Sequence, residues 1–251
     1  MNSKNIIFLH GFPVSGLMWE YQVEHFSKKM NVYAPDLRGH GDGPKGVGPW
    51  MMAHFAEDLK NYMLENKIDS AHLCGCSMGG YVALQFVDQY PDRVASLILC
   101  DSRADSDSNA VKDKRFDMVK RLHREGSLPA FAGEFARTVI GESAQKTKPM
   151  LLDKVEKMIL ANDPKNLALA VGAMASRRDS TENLSKITCP ALVIVGTEDK
   201  VTPPEVNQEM AKKIKGAEFK KISKAGHFAN LEQSDIFNSL LDKFLSDKTV
   251  D

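Results

Sequence analysis

The sequence predicts an α/β fold, a parallel sheet with helices on both faces, interrupted by one all-helical insertion. Short apolar runs of strand length alternate with helical patterns through the first hundred residues. Several of those runs are unbroken, as expected for strands buried on both faces. The same alternation returns near the C-terminal end, while residues 103–185 hold helical patterns and no strand.

In chain order, residues 5–10 (with Ile6-Ile7-Phe8-Leu9) and 32–34 read as strands. In residues 51–67, Phe55, Leu59, Tyr62 and Met63 recur at helical spacing. A strand at 72–76 runs straight into a helix at 78–89, which Pro91 closes, and 94–100 is the next strand. Four helical patterns follow at 109–124, 128–140, 149–161 and 164–177. Their apolar stripes carry Phe116, Val119 and Leu122, then Phe131, Phe135 and Val139, then Leu151, Val155, Met158 and Ile159. Gly126, Gly141 and Gly172 are candidate flex points in this stretch. Strands at 191–195 and 218–222 then flank a helix at 204–215, and a helix at 234–246 ends the pattern. The expected division is a core of residues 1–102 and 186–251 carrying a helical cap of residues 103–185.

Composition narrows the function. The chain has 251 residues, 43% hydrophobic and 26% charged, with Lys+Arg and Asp+Glu at 33 each. A chain of this size buries roughly 70–75% of its unfolded surface and needs no disulfide or metal to fold. Zero formal net charge argues against a nucleic-acid partner. No apolar run reaches the roughly 20 residues that span a bilayer, and residues 6–9 are too short an apolar run for a signal peptide. Cys74, Cys76, Cys100 and Cys189 lie in apolar, strand-like surroundings without metal-ligand spacing, which reads as inert buried thiols. The expected location is the cytoplasm.

The chemistry concentrates where the strand at 72–76 meets the helix at 78. Gly75-Cys76-Ser77-Met78-Gly79 is a Gly-x-Ser-x-Gly run in the strand–turn–helix setting of a nucleophile elbow. Ser77 then stands clear of the backbone at a helix N-terminus, whose dipole favours negative charge. His227, in a loop between a strand and the last helix, is the best placed base, with His40 in Arg38-Gly39-His40-Gly41 as its rival. Asp199, in Gly196-Thr197-Glu198-Asp199, is the candidate orienting carboxylate, with Glu198 and Asp101 as rivals. All of these follow strands, and such loops gather at the carboxyl edge of a parallel sheet. An oxyanion needs backbone donors: the Met78 amide is one, and the Phe12 amide in His10-Gly11-Phe12-Pro13 is the other, since Pro13 has no N–H. Trp19, Trp50, Phe131, Phe135 and Met174 are candidate apolar substrate walls, and Arg103, Arg177 and Arg178 candidate partners for a substrate carboxylate.

These segments, with Asp36-Leu37-Arg38-Gly39-His40-Gly41 and Gly226-His227, resemble the α/β-hydrolase superfamily over essentially the whole core. The resemblance implies a mostly parallel eight-stranded sheet, a helical cap after the sixth strand, and Ser77, Asp199 and His227 as a triad. Ser77 where a haloalkane dehalogenase needs a carboxylate speaks against that branch. The chain is most similar to small carboxylesterases, enol-lactonase-like proteins and cofactor-free haloperoxidase-like hydrolases. It departs at Ser234, where relatives often carry proline. The implied function is serine hydrolysis of a small or medium carboxylic ester or lactone, with no metal or organic cofactor. Alternatives are a non-enzymatic small-ligand receptor on the same fold, or C–C bond hydrolysis or perhydrolysis by the same triad.

Overall fold

A computed structural model describes residues 3–125 and 128–246. The strands are β1 (Asn5–Leu9), β2 (Asn31–Tyr33), β3 (Ala71–Cys76), β4 (Val94–Cys100), β5 (Ala191–Gly196) and β6 (Glu218–Ile222). They form one sheet in the order β2-β1-β3-β4-β5-β6, and every pair is parallel. The expected eight strands are therefore six among the described residues, and the helical insertion follows the fourth. The three-residue β2 forms one edge, and nothing described pairs with its outer side.

Burial explains the pattern that made the strands legible. β3, β4 and β5 are buried along their whole length, and β1 from Ile6 onward. The edge strand β6 is half-exposed and correspondingly carries Glu218, Lys220 and Lys221. The chain leaves β1 toward β2 on one side and returns to β3 on the other, so the strand order reverses at β1. Loops after β1 and β3 part at such a switch point and leave a crevice.

Helices α1 (Glu20–Phe26), α2 (Met52–Glu65) and α3 (Met78–Gln89) connect the first strands. The right-handed rule for parallel crossovers puts α1 on one face and α2 and α3 on the other. Trp19 stacks on Phe8 of β1 at 4.9 Å and meets Phe237 at 5.9 Å. The insertion between β4 and β5 has five helices: α4 (Asn109–Glu125), α5 (Pro129–Val139), α6 (Glu142–Thr147), α7 (Met150–Leu160) and α8 (Pro164–Ala175). α4 packs on α8 and α5 on α7. α9 (Pro204–Lys213) covers β5 and β6, and α10 (Ala229–Glu232) leads into α11 (Ser234–Ser246), which holds Phe237.

Of the stripe expected on α4, Leu122 is buried, whereas Phe116 is half exposed. Of the candidate flex points, Gly126 lies outside the described residues, Gly141 joins α5 to α6, and Gly172 lies within α8. No helix among the described residues is long and apolar enough to cross a membrane.

The helical layer sits on the carboxyl-edge loops of the sheet. Asn162, between α7 and α8, donates from Nδ2 to the Pro13, Met158 and Ile159 carbonyls at 2.9, 2.9 and 3.3 Å. Its Oδ1 accepts from the Gly41 amide at 2.8 Å. Where the insertion joins the core, Arg177 pairs with Asp107 at 2.7 Å and lies over the Tyr81 ring at 4.3 Å. Arg115 donates to the other oxygen of Asp107.

Candidate active site

Ser77 occupies a turn that only this glycine pattern permits. Its φ is +50° and ψ −113°, a region costly for a residue with a Cβ. Surroundings hold it there. The Ser77 amide donates to the Cys100 carbonyl at 3.0 Å, and the Ser102 hydroxyl donates to the Ser77 carbonyl at 2.9 Å. A Cβ on Gly75 would lie 2.4 Å from the Gly79 carbonyl oxygen, and one on Gly79 would lie 2.1 Å from the Leu9 oxygen. The tight turn thus sets α3 directly against the end of β1.

His227 arrives on the loop after β6. The Ser77 hydroxyl donates to His227 Nε2 at 2.8 Å, and His227 Nδ1 donates to Asp199 Oδ2 at 2.9 Å. Asp199 is anchored by the Val201 and Thr202 amides on Oδ1, at 2.8 and 3.0 Å. The Thr202 hydroxyl donates to Oδ2 at 2.7 Å. Burial alone would raise the Asp199 carboxyl, but the His227 charge and these donors outweigh it and hold it below the ordinary range. An anionic Asp199 fixes the tautomer that leaves Nε2 free to accept. Thr202 was invisible to the sequence reading, although a hydroxyl three residues past the carboxylate is its only signal.

The rivals lie elsewhere. Asp101 is buried at the end of β4, where its Oδ1 accepts from the Gly196 amide at 2.7 Å. Burial and the Asp199 charge push its carboxyl well up. Glu198 binds the Ser143 amide at 2.9 Å and the Ser143 hydroxyl, fastening α6 to the core. His40 donates from Nδ1 to the Arg38 carbonyl at 3.0 Å, and burial drives its pKa down to about 3. It stabilises the turn. His10 donates to the Gly11 carbonyl at 2.9 Å and accepts the Leu37 amide on Nε2 at 2.8 Å. It therefore braces two loops, and burial lowers its pKa to about 4.

The loop after β1 passes beside Ser77, where a Cβ on Gly11 would be 3.4 Å from the serine Cβ. This brings Phe12 to the site, and Met78 follows Ser77 as the first residue of α3. Phe135 of α5 meets the Phe12 ring at 5.8 Å, and Phe131 meets Phe135 at 5.6 Å. The three others expected as walls pack against the core or within the helical layer. Trp19 is enclosed between Phe8 and Phe237 in the core. Trp50 packs on Phe55 at 6.2 Å beneath the turn that carries Gly39. Met174 lies within the helical layer against Arg115, its sulfur 3.6 Å from the guanidinium. Arg103 and Arg177 are occupied by Asp105 and Asp107.

One further carboxylate was missed. Glu232 of α10 is fully buried beside His227, and its only sequence signal is a lone acid among the buried positions 229–231. All four cysteines are free, and burial pushes the Cys76 thiol well up, so it stays protonated. Among the described residues no cluster of three or more His, Cys, Asp or Glu side chains could hold a metal ion.

The comparisons with known proteins agree with this fold. The family described as the alpha/beta hydrolase fold matches residues 4–234. A 3-oxoadipate enol-lactonase of Acinetobacter baylyi is 26% identical over 93% of this chain and 85% of its own length. A thermophilic esterase from Thermogutta terrifontis superposes with a TM-score of 0.94 at 37% identity, covering 98% of this chain and 90% of that one. An enol-lactonase from Burkholderia xenovorans gives 0.90 at 28% identity, covering 98% and 92%. With a parallel sheet, a serine elbow at its carboxyl edge and a family match across nearly its whole length, this chain belongs to the alpha/beta hydrolase family.

Proposed function

We propose that this protein is a serine hydrolase of small or medium carboxylic esters or lactones. The observation that carries the reading is the continuous hydrogen-bonded path Ser77–His227–Asp199, at 2.8 and 2.9 Å. The named relatives are an enol-lactonase and an esterase, which supports the same class.

Ser77 Oγ attacks the carbonyl carbon while His227 Nε2 takes its proton. Asp199 holds the imidazole tautomer and balances the imidazolium charge. The Phe12 and Met78 amides hold the tetrahedral oxyanion, aided by the N-terminal end of α3. Collapse of that intermediate breaks the bond to the alkoxide, which leaves with the proton from His227. Water then attacks the acyl-enzyme with His227 again as base, and the acid departs. For a lactone the alkoxide stays tethered to the acyl group, so one product forms. Phe12, Phe135 and Phe131 form the apolar wall beside the acyl chain, which fits a hydrophobic group of limited length.

The test is intact mass after a fluorophosphonate probe, alongside turnover of a panel of simple esters. Wild type should gain one adduct and Ser77→Ala none, with ester turnover falling at least about 10³-fold. A folded wild type that takes no adduct and turns over no ester sinks the hydrolase reading and favours a ligand receptor.

A further inference from the structure

Glu232 holds the main chain on both sides of His227. Its Oε2 accepts the Gly226 amide at 2.8 Å, and its Oε1 accepts the Phe228 amide at 3.2 Å. The same Oε2 accepts the Gly141 amide, from the α5–α6 joint, at 2.9 Å. The amide of His227 itself donates to the Val139 carbonyl at 2.7 Å. The two backbones cross so closely that a Cβ on Gly226 would lie 2.4 Å from the Gly141 nitrogen. One buried carboxylate therefore gathers three amides from two segments, and the imidazole-bearing residue lies between two of them.

We propose that Glu232 is a positioning residue whose ionised carboxylate sets His227 against Ser77 and locks the His227 loop to the helical layer. This rests on the hydrolase reading above. Only the anion offers acceptor lone pairs on both oxygens without a competing O–H. Burial pushes Glu232 up to about 7, against the pull of the Gly226, Gly141 and Phe228 amides and the His227 charge. The other groups facing this corner are Asp101 at the end of β4, Cys76 at the end of β3, and Asp199 and Glu198 after β5. From α6 to α7 comes Lys148, whose ammonium donates to the Glu232 carbonyl at 2.7 Å. Burial and the Asp199 and Glu232 charges push the Asp101 carboxyl up, and burial pushes the Cys76 thiol up. As pH falls through about 7 the carboxylate gains a proton and its grip on the amides weakens.

The test is Glu232→Gln, read by the rate of fluorophosphonate labelling and by kcat and KM on a small aryl ester. Either orientation of the glutamine amide turns an N–H toward a backbone N–H. Labelling and kcat should fall about 10- to 100-fold with KM within about twofold, as expected for a misplaced base. In wild type the labelling rate should fall as pH drops through about 7, as Glu232 gains its proton. In Glu232→Gln that part of the fall should be missing. A variant of wild-type Tm and near-UV circular dichroism that labels at the wild-type rate overturns the inference. So does a wild-type labelling rate that does not fall as pH drops through about 7, which decides the matter even where the variant does not fold. A wild type that takes no label overturns the hydrolase reading as well, whereas a labelled wild type with an indifferent variant overturns this inference alone.

Discussion

Replacing Gly79 by alanine tests how the elbow couples stability to the oxyanion site. The added Cβ would sit 2.1 Å from the Leu9 carbonyl oxygen, 2.6 Å from its carbon and 2.9 Å from the His10 oxygen. Ordinary contact begins at 3.4 Å, so either α3 or the end of β1 must retreat by about 1.3 Å. Neither can do so freely. β1 is paired on both sides, and α3 is tied through Ser77 to the Cys100 carbonyl and to Ser102. Overpacking against backbone costs about 1–3 kcal/mol, and this case belongs at the upper end. The displaced chain leads directly into His10-Gly11-Phe12, so the Phe12 amide moves relative to the Met78 amide. A misplacement of about 1 Å costs on the order of 10²-fold in rate. Urea unfolding and fluorophosphonate labelling should report both losses together. Gly172→Ala is the matched control, since it sits in α8 and nothing beyond that helix's own neighbouring backbone lies within 4 Å of its added Cβ. It should stabilise by about 0.5–1 kcal/mol and leave labelling unchanged. A Gly79→Ala protein with wild-type stability and labelling would refute the close approach of α3 to β1.

Two more outcomes are expected. Arg177→Met should cost about 3 kcal/mol in denaturant unfolding, because Asp107 keeps Arg115 but loses its other buried partner. Burial alone would raise the Asp107 carboxyl, yet Arg115 and Arg177 hold it below its ordinary value. Its contribution is thus present above about pH 4 and lost as pH falls further, and in the variant that loss should begin at higher pH. Equal acid sensitivity in both proteins would contradict this pairing. Phe135→Ala should open the acyl side of the site. The kcat/KM ratio of longer over shorter p-nitrophenyl esters should rise by up to about 4-fold per methylene, and an unchanged ratio would remove Phe135 from the substrate wall.

What was legible in the sequence follows from what buries apolar surface. β4 and β6 lie where their residue patterns end, and α3 begins at Met78 as the elbow requires. Ser77, Asp199 and His227 could be nominated because each follows a strand, and loops after parallel strands converge. Elements held by polar contacts were not legible. α1 turns its buried Gln22 to Asn238 at 2.9 Å, and α6 offers only Ala144 as a buried residue. α6 has no apolar stripe to read, and α1 offers only Val23 and Phe26 to the core over its seven residues. Aromatic type likewise does not reveal direction: Trp19 and Phe135 looked equally suited to a pocket, and only packing against Phe8 or against Phe12 separates them. Glu232 shows the same limit, because its partners are main-chain amides that no residue type marks, and the Gly141 amide is distant in sequence.

The Asn162 contacts have an evolutionary consequence. Every group that this side chain reaches is main chain, on Pro13 and Gly41 in the core and on Met158 and Ile159 in its own segment. The latch therefore reads the course of two turns rather than the identity of their residues. Side chains in those turns can drift while the helical layer stays docked, provided the backbone path survives. In this latch the burden falls on a single amide, since aspartate has no N–H to give and leucine has neither donor nor acceptor. Divergence of substrate preference can then proceed in α4 and α5 without renegotiating how the layer is attached.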